Sequence, residues 1–220
     1  MEGGAIVEAH GARATYFPCG SLEGTSHDGI QQFTNDDLEA LHAAGHEVGS
    51  HSFHHVSALR TSSRKFASSI SLNERFLAER LPGSRRISFS YPFGDVSLSS
   101  IPTVMKSFVC ARTVSRGVNG EVVSPYLLRG VGIERRSRNA FDIEALIETA
   151  ARRHQWLICF THDVSARPSE FGCTPRDLDR VLRLARSAGM ELSPLARVAA
   201  CFEHQHAVKA MEAQVSLRPL

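Results

Sequence analysis

The stretch that decides the fold of this 220-residue chain is Gly45-His46-Glu47-Val48-Gly49-Ser50-His51-Ser52-Phe53-His54-His55. It opens with a glycine suited to ending a helix and continues as a short strand that enters a polar loop. His51 and His55 stand four residues apart, so one helical turn starting at His51 would direct both imidazoles the same way. Neutral imidazoles suit zinc and similar divalent ions, which makes the pair a candidate metal site.

Outward from this stretch, short strand-like segments alternate with longer helix-like ones. The predicted strands are 14–19, 46–51, 86–90, 109–114, 127–133 and 156–161. The predicted helices are 5–10, 34–44, 63–81, 101–107, 143–154 and one that Thr174 caps and Gly189 stops, with Asn139 as a cap for the fifth. This alternation predicts one α/β domain over residues 1–220, built as a parallel sheet or barrel wrapped by helices, with 201–220 as a final helix and tail.

Two further strand ends carry residues suited to chemistry, because functional residues of such folds lie at the carboxyl ends of strands. Tyr91-Pro92-Phe93-Gly94 forms a turn that could leave a backbone N–H free as an oxyanion donor. Phe160-Thr161-His162-Asp163 delivers one histidine where a general acid or base would stand. Each motif also has a non-catalytic interpretation. The first could be an ordinary turn whose aromatic residues pack in the core, and the histidine of the second could be structural. Eleven histidines also make chance pairs common, and we expect His42, His46 and His54 at the surface.

The bulk composition excludes several classes of protein. A net charge of +2 gives no nucleic-acid-binding footprint, and no apolar run is long enough to cross a bilayer. The first residues lack the features of a signal peptide, and the five scattered cysteines fit buried thiols in a reducing compartment. We therefore expect a cytoplasmic protein without a membrane span, although a truncated start would also delete a signal. The oligomeric state is left open.

The order of these motifs resembles that of the NodB-homology polysaccharide deacetylases, carbohydrate esterase family 4. Ala14-Thr15-Tyr16-Phe17 is similar to the family's second strand, and the run from Gly45 to His55 is similar to its metal motif. Tyr91-Pro92-Phe93-Gly94 resembles its groove motif, and Phe160-Thr161-His162-Asp163 resembles the late strand that carries its catalytic histidine. The resemblance runs from about Ala5 to Val198 and implies a distorted (β/α) barrel.

The resemblance also implies a role for each matched residue. His51 and His55 would bind a divalent metal, most simply zinc, and the Phe93 N–H would bind the tetrahedral oxyanion. Tyr91, Pro92 and Phe93 would shape the sugar groove, while His162 would protonate the departing amine. The implied substrate is an N-acetylated amino-sugar glycan: chitooligosaccharide, peptidoglycan and poly-N-acetylglucosamine all fit.

One family motif is missing from this sequence: the Phe/Tyr-Asp-Asp-Gly at the end of the first strand, whose aspartates supply the base and the third metal ligand. Ser26-His27-Asp28-Gly29 resembles it, but it follows the second strand instead of preceding it. We therefore expect a barrel without its first strand, and a strand edge left open to self-association. Ser90 also stands where many members carry an arginine that orients the base.

Three interpretations of this missing motif remain open. In the first, Met1 is an internal start and the complete protein is a deacetylase. In the second, the chain is a catalytically inactive member that binds a saccharide or a partner. In the third, which we rank last, Asp95 or Asp163 takes over the role of the missing acid.

Overall fold

The computed structural model describes residues 2–27, 30–120, 123–137 and 142–200. The helices of this part are α1 (Glu2–Ala9), α2 (Asn35–Ala43), α3 (Ser63–Arg80), α4 (Ile101–Ser107), α5 (Ile143–Arg152) and α6 (Pro175–Ser187). The strands are β1 (Thr15–Tyr16), β2 (Ser26–His27), β3 (Ile30–Gln31), β4 (Glu47–Val48), β5 (Ser88–Ser90), β6 (Cys110–Arg112), β7 (Val131–Gly132) and β8 (Cys159–Phe160). The predicted tail at 201–220 lies outside the described residues.

The helix ends follow local capping chemistry. Thr34 begins α2 and Thr174 begins α6, each through a capping box with an aspartate three residues on. The side chain that caps α5 is Asp142, which accepts hydrogen bonds from the backbone N–H groups of Glu144 and Ala145. Asn139, the predicted cap, lies outside the described residues.

All but two of the described strands belong to one run of parallel neighbours that keeps the order of the chain. β1 pairs with β4, β5 with β6 and β7 with β8, each in parallel. Isolated parallel bridges join these pairs, one between Ser50 and Phe89 and the other between Arg112 and Leu128. The exceptions, β2 and β3, pair with each other in antiparallel, Ser26 with Gln31 and His27 with Ile30, which the sequence did not predict. The parallel α/β prediction is confirmed.

The sheet curls, so that its first and last strands approach the same point. Neighbouring strands are about 4.8 Å apart, so β1 lies about 14 Å from β6 along the sheet. Nevertheless the Arg112 guanidinium carbon on β6 lies 5.3 Å from the Phe17 ring centre, just past β1, and 4.5 Å from that of Phe160 on β8. This curvature makes the inside of the sheet a cleft into which several strand ends project.

The outer face of the sheet buries an apolar layer under α3 and α4. Phe89 and Tyr91 from the sheet pack there with Phe66 and Ile70 of α3 and Val104 of α4. Side chains alternate along a strand, so Ser88 and Ser90 project to the opposite, inner face. The apolar layer therefore fixes which residues of β5 enter the cleft.

Glu47 ties three distant segments together below the cleft. Its carboxylate accepts hydrogen bonds from Thr15 Oγ1 at 2.6 Å and Ser88 Oγ at 2.5 Å. It also accepts one from the backbone N–H of Ala196 at 2.9 Å, across 149 residues of sequence. One carboxylate thus fastens β1, β5 and the last described segment to the strand that leads to His51.

Candidate active site

His51 lies in the loop after β4 with its proton position set by the backbone. Its Nδ1 donates to the Ser90 carbonyl oxygen at 2.6 Å, which leaves Nε2 as the atom with a free lone pair. Burial lowers the pKa of His51 well below its usual value, and the nearby charges of His55 and Arg112 lower it further. The imidazole is therefore neutral at physiological pH, as a metal ligand must be.

His55 is brought beside His51 by a loop, because the backbone does not form the predicted helical turn. Ser52 and His55 take the left-handed conformation, with φ of 60° and 51°, and no helix is assigned between β4 and α3. The two imidazole centres are nevertheless 4.8 Å apart. Burial and the charge of His162 lower the pKa of His55. The predicted pair is thus adjacent in the predicted polar loop, although no helical turn brings the two rings together.

The described residues fit two ligands of a divalent metal ion but do not supply a complete set. Within 2–27, 30–120, 123–137 and 142–200, no group of three histidine, cysteine, aspartate or glutamate side chains is placed to hold a metal. Cys19 donates its thiol to the His51 carbonyl, and burial raises its pKa to about 12, so it is not a thiolate ligand.

The two candidate replacement acids are engaged elsewhere. Asp95 accepts a hydrogen bond from the Ser57 hydroxyl, and Asp163 accepts from the backbone N–H of Ser169 at 3.0 Å. Both bonds stabilise loops, and neither carboxylate forms a ligand group with the histidine pair.

The turn after β5 presents one aromatic ring and a free backbone donor. Phe93 is left-handed, with φ of 59°, and is 61% exposed, with its ring centre 4.5 Å from that of His55. Gly94 and Asp95 donate to the carbonyls of Tyr91 and Pro92, whereas the Phe93 N–H donates to no acceptor among the described residues. Tyr91 is only 1% exposed and packs in the apolar layer, so Phe93 supplies the aromatic surface of this turn.

His162 lies opposite, beyond β8, and is held by the Phe171 carbonyl, with the buried Glu134 carboxylate close by. Its Nδ1 is 3.3 Å from Glu134 Oε1 and 3.3 Å from the Phe171 carbonyl oxygen. Both neighbours are acceptors, so the proton belongs on Nδ1 and Nε2 keeps a free lone pair. Glu134 is 2% exposed and also accepts from Arg136 Nε at 2.7 Å.

Arg112 lies at the centre of the cleft, directly across the strand pair from Ser90. It is 9% exposed, and burial lowers its pKa to about 10 while the Glu134 charge opposes that shift. The guanidinium therefore stays protonated at physiological pH. A cation stands one strand away from the position where many family members carry their arginine.

Sequence reasoning missed both Glu134 and Arg112. Arg112 interrupts an otherwise apolar strand, Cys110-Ala111-Arg112-Thr113-Val114, and Glu134 comes directly after the predicted strand 127–133. The sequence did contain a signal for each residue. Arg112 is a charge inside a buried strand, and Glu134 is a charge at a strand's carboxyl end, where functional residues of such folds lie.

Comparisons with known proteins agree with these motifs. A sequence model of the family "Polysaccharide deacetylase" matches residues 4–107. No curated protein matched the sequence.

Similar folds occur among solved structures. Peptidoglycan deacetylase PdaC from Bacillus subtilis, solved as a mutant, has 16% identity and a TM-score of 0.61 over 97% of this chain and 88% of its own. A family 4 carbohydrate esterase from Streptomyces lividans has 17% identity and a TM-score of 0.57, covering 87% and 83% of the two chains. A CE4 family pseudoenzyme from Bacillus anthracis has 13% identity and a TM-score of 0.57 over 89% of this chain.

This chain spans 58% of the length of the Bacillus anthracis pseudoenzyme. These identities are low, so the structures bear on the fold, which is that of the NodB-type distorted barrel. The sequence match covers residues 4–107, slightly less than half of the chain. The protein is therefore similar in sequence to the polysaccharide deacetylase family over that part, and similar in fold to the solved deacetylases.

Proposed function

We propose that this chain contributes the active-site cleft of a metal-dependent hydrolase that removes N-acetyl groups from an amino-sugar glycan. The observation that carries the proposal is the meeting of His51, His55, Phe93 and His162 in one cleft, from three separate strand ends. A zinc-like ion would supply the Lewis acid that polarises the acetyl carbonyl, with Nε2 of His51 and the His55 imidazole among its ligands.

The chain's own groups account for two other requirements of amide hydrolysis. The free N–H of Phe93 would donate to the oxyanion that develops on the acetyl carbonyl. His162 is held through Nδ1 by the Phe171 carbonyl, and its Nε2 would protonate the leaving amine. The exposed Phe93 ring offers an apolar platform for a sugar ring.

The direct test measures acetate release from N-acetylated chitooligosaccharides, with zinc added and with a chelator. We expect slow, zinc-dependent release, because the described residues provide no general base, a contribution typically worth about 10²–10⁴ in rate. His162→Ala should reduce release by at least about tenfold, whereas His42→Ala, an exposed position on α2, should not. Equal rates in these two variants would contradict the proposed proton donor.

The metal proposal has its own readout in zinc titration by calorimetry. His51→Ala should lower zinc affinity, and His54→Ala, an exposed histidine of the same loop, should leave it unchanged. Identical affinities in both variants would remove the metal site.

A second candidate function is glycan binding without turnover. It is favoured by the absence of a three-ligand group among the described residues, and a protein of the same fold is described as a pseudoenzyme. Chitooligosaccharide binding that Phe93→Ala abolishes, with no acetate released at any zinc concentration, would favour this function over the first.

A further inference from the structure

Helix α3 presents two buried polar side chains to the loop that carries the histidine pair. Ser69 is 2% exposed and Asn73 is fully buried, and both belong to the buried side of this helix. They are four residues apart, so they lie one turn apart on the same face of the helix. A buried polar side chain is unfavourable unless its hydrogen bonds are made, and both side chains make theirs with the segments around the loop.

Asn73 holds the residue immediately before His51. Its Nδ2 donates to the Ser50 hydroxyl oxygen at 3.0 Å and to the Pro18 carbonyl oxygen at 3.1 Å. Its Oδ1 accepts from the Gly20 backbone N–H at 2.9 Å. The amide thus uses both of its N–H groups and its oxygen, which fixes the orientation of the side chain and of the segments that it joins.

The turn that Asn73 binds also contacts the backbone of the histidine loop. The Cys19 thiol donates to the His51 carbonyl oxygen at 3.3 Å. A Cβ on Gly20 would lie 2.5 Å from Phe53 Cε2, so the turn packs directly against the loop. Through this turn, the same asparagine restrains the loop from a second side.

Ser69 holds the residues immediately before His55. Its hydroxyl oxygen accepts hydrogen bonds from the backbone N–H groups of Phe53 and His54, each at 3.1 Å. The next residue, His55, has a left-handed backbone, with φ of 51°. That conformation is unfavourable for a residue other than glycine, so it persists where neighbouring contacts fix it. The two hydrogen bonds to Ser69 are contacts of this kind.

The spacing of these two holding points matches the spacing of the two histidines. Asn73 binds the residue before His51, and Ser69 binds the residue before His55. Four residues of an α-helix rise by about 6 Å, so α3 sets how far apart these two points of the loop lie. No helix is assigned between β4 and α3, yet the imidazole centres are 4.8 Å apart. The helix beside the loop therefore supplies the one-turn separation that the loop's own backbone lacks.

We propose that Ser69 and Asn73 are positioning residues, which set the separation of His51 and His55 for the binding of one divalent cation. This inference rests on the proposed metal site and adds two residues of α3 that act through the loop instead of binding the cation. Loss of either side chain should weaken metal binding through geometry alone, because both histidines remain in place.

Calorimetric titration of the full chain with zinc, at one pH, measures this effect. We expect the affinity to fall by at least about tenfold in Asn73→Ala and in Ser69→Ala, because each change frees one end of the loop. Ser68→Ala, at an exposed position of the same helix, is the matched control and should bind zinc as the wild type does. Unchanged affinity in both α3 variants would overturn the positioning role alone. A wild type that does not bind zinc would refute the proposed metal site itself.

A second control separates positioning from stability. Ile70→Ala removes a buried side chain that α3 contributes to the apolar layer, so it should destabilise the fold at least as much as Ser69→Ala does. At a temperature where all the variants are folded, its zinc affinity should nevertheless equal that of the wild type. An equal loss of affinity in Ile70→Ala and Ser69→Ala would show that Ser69 is only structural, and would overturn the proposal.

Hydrogen exchange with chelator present gives a readout that does not depend on zinc. Ser69→Ala should speed up exchange at the His54 amide, whose acceptor it removes, and added zinc should slow this exchange again. The measurement also covers the case in which Asn73→Ala does not fold, since Ser69→Ala removes a single hydroxyl. Exchange at His54 that is the same in Ser69→Ala and the wild type would show that α3 does not hold the loop.

Discussion

At the scale of single residues, the chemistry of the cleft depends on histidines that are held neutral. His51 donates from Nδ1 to a carbonyl and is buried beside other positive groups, so its charged form is disfavoured in the folded protein. Protonation of His51 at acidic pH should therefore lower the free energy of unfolding, and this loss should be measurable without any ligand.

We expect His51 to destabilise the fold as the pH falls. Its pKa is below 6.5 in the folded state and close to 6.5 in the unfolded state, so the unfolded chain binds more protons in this window. Stability is therefore full above about pH 6.5 and declines below it.

Urea unfolding at pH 7.5 and 5.5, with chelator, would measure this effect. The wild type should lose about 1 kcal/mol more between the two pH values than His51→Asn, whose amide can still donate to Ser90. His42→Asn, at an exposed position, should behave as the wild type does. A decline that is the same in all three proteins would refute the assignment.

At the scale of elements, the turn that presents Phe93 depends on close packing behind it. Gly94 has φ of 73°, and a Cβ there would lie 2.3 Å from Val114 Cγ2 and 2.9 Å from the Val114 backbone nitrogen. Gly24 has a similar φ of 67°, but a Cβ there would have no described atom within 4 Å. The two glycines thus share one backbone conformation and differ in crowding.

Alanine at each glycine separates these two effects. Gly24→Ala should cost about 1 kcal/mol for the left-handed backbone alone. Gly94→Ala should cost about 1–3 kcal/mol more, because Val114 and β6 must move. Urea unfolding of both variants gives the difference directly, and equal costs would show that the turn is not packed as described.

The elements also show what sequence patterns can predict. Helix α4 has the predicted bounds, and the caps at Thr34 and Thr174 are confirmed, because capping depends on residues three apart. The histidine pair was found by its spacing, but the backbone path between the two residues was not, since left-handed φ at Ser52 and His55 has at most a weak signature in residues other than glycine. Arg112 and Glu134 meet only through strand order and curvature, which short patterns do not encode.

At the scale of the whole molecule, Glu47 joins segments that are far apart in the chain. Its two oxygens accept from Thr15, Ser88 and Ala196, all of which are donors. Glu47→Gln removes the negative charge and replaces one acceptor oxygen with an amide donor, which weakens the hydrogen bonds to the hydroxyls and would oppose the Ala196 N–H if it faced that group.

We expect Glu47→Gln to lower the free energy of unfolding by about 1–3 kcal/mol. Hydrogen exchange should also speed up at the Ala196 amide, far from the substitution in sequence. Glu79→Gln is the matched control on the exposed side of α3 and should change neither quantity. Unchanged exchange at Ala196 in Glu47→Gln would show that the carboxylate is not the tie.

This tie has a consequence for synthesis on the ribosome. A nascent chain that has emerged through α3 and β5 already contains the histidine loop and two of the donors to Glu47. The third donor, Ala196, arrives only after nearly the whole described chain has been translated. The strand that leads to His51 therefore gains its last stabilising hydrogen bond late in synthesis. Until then, chaperones would encounter a cleft whose Glu47 contacts are incomplete.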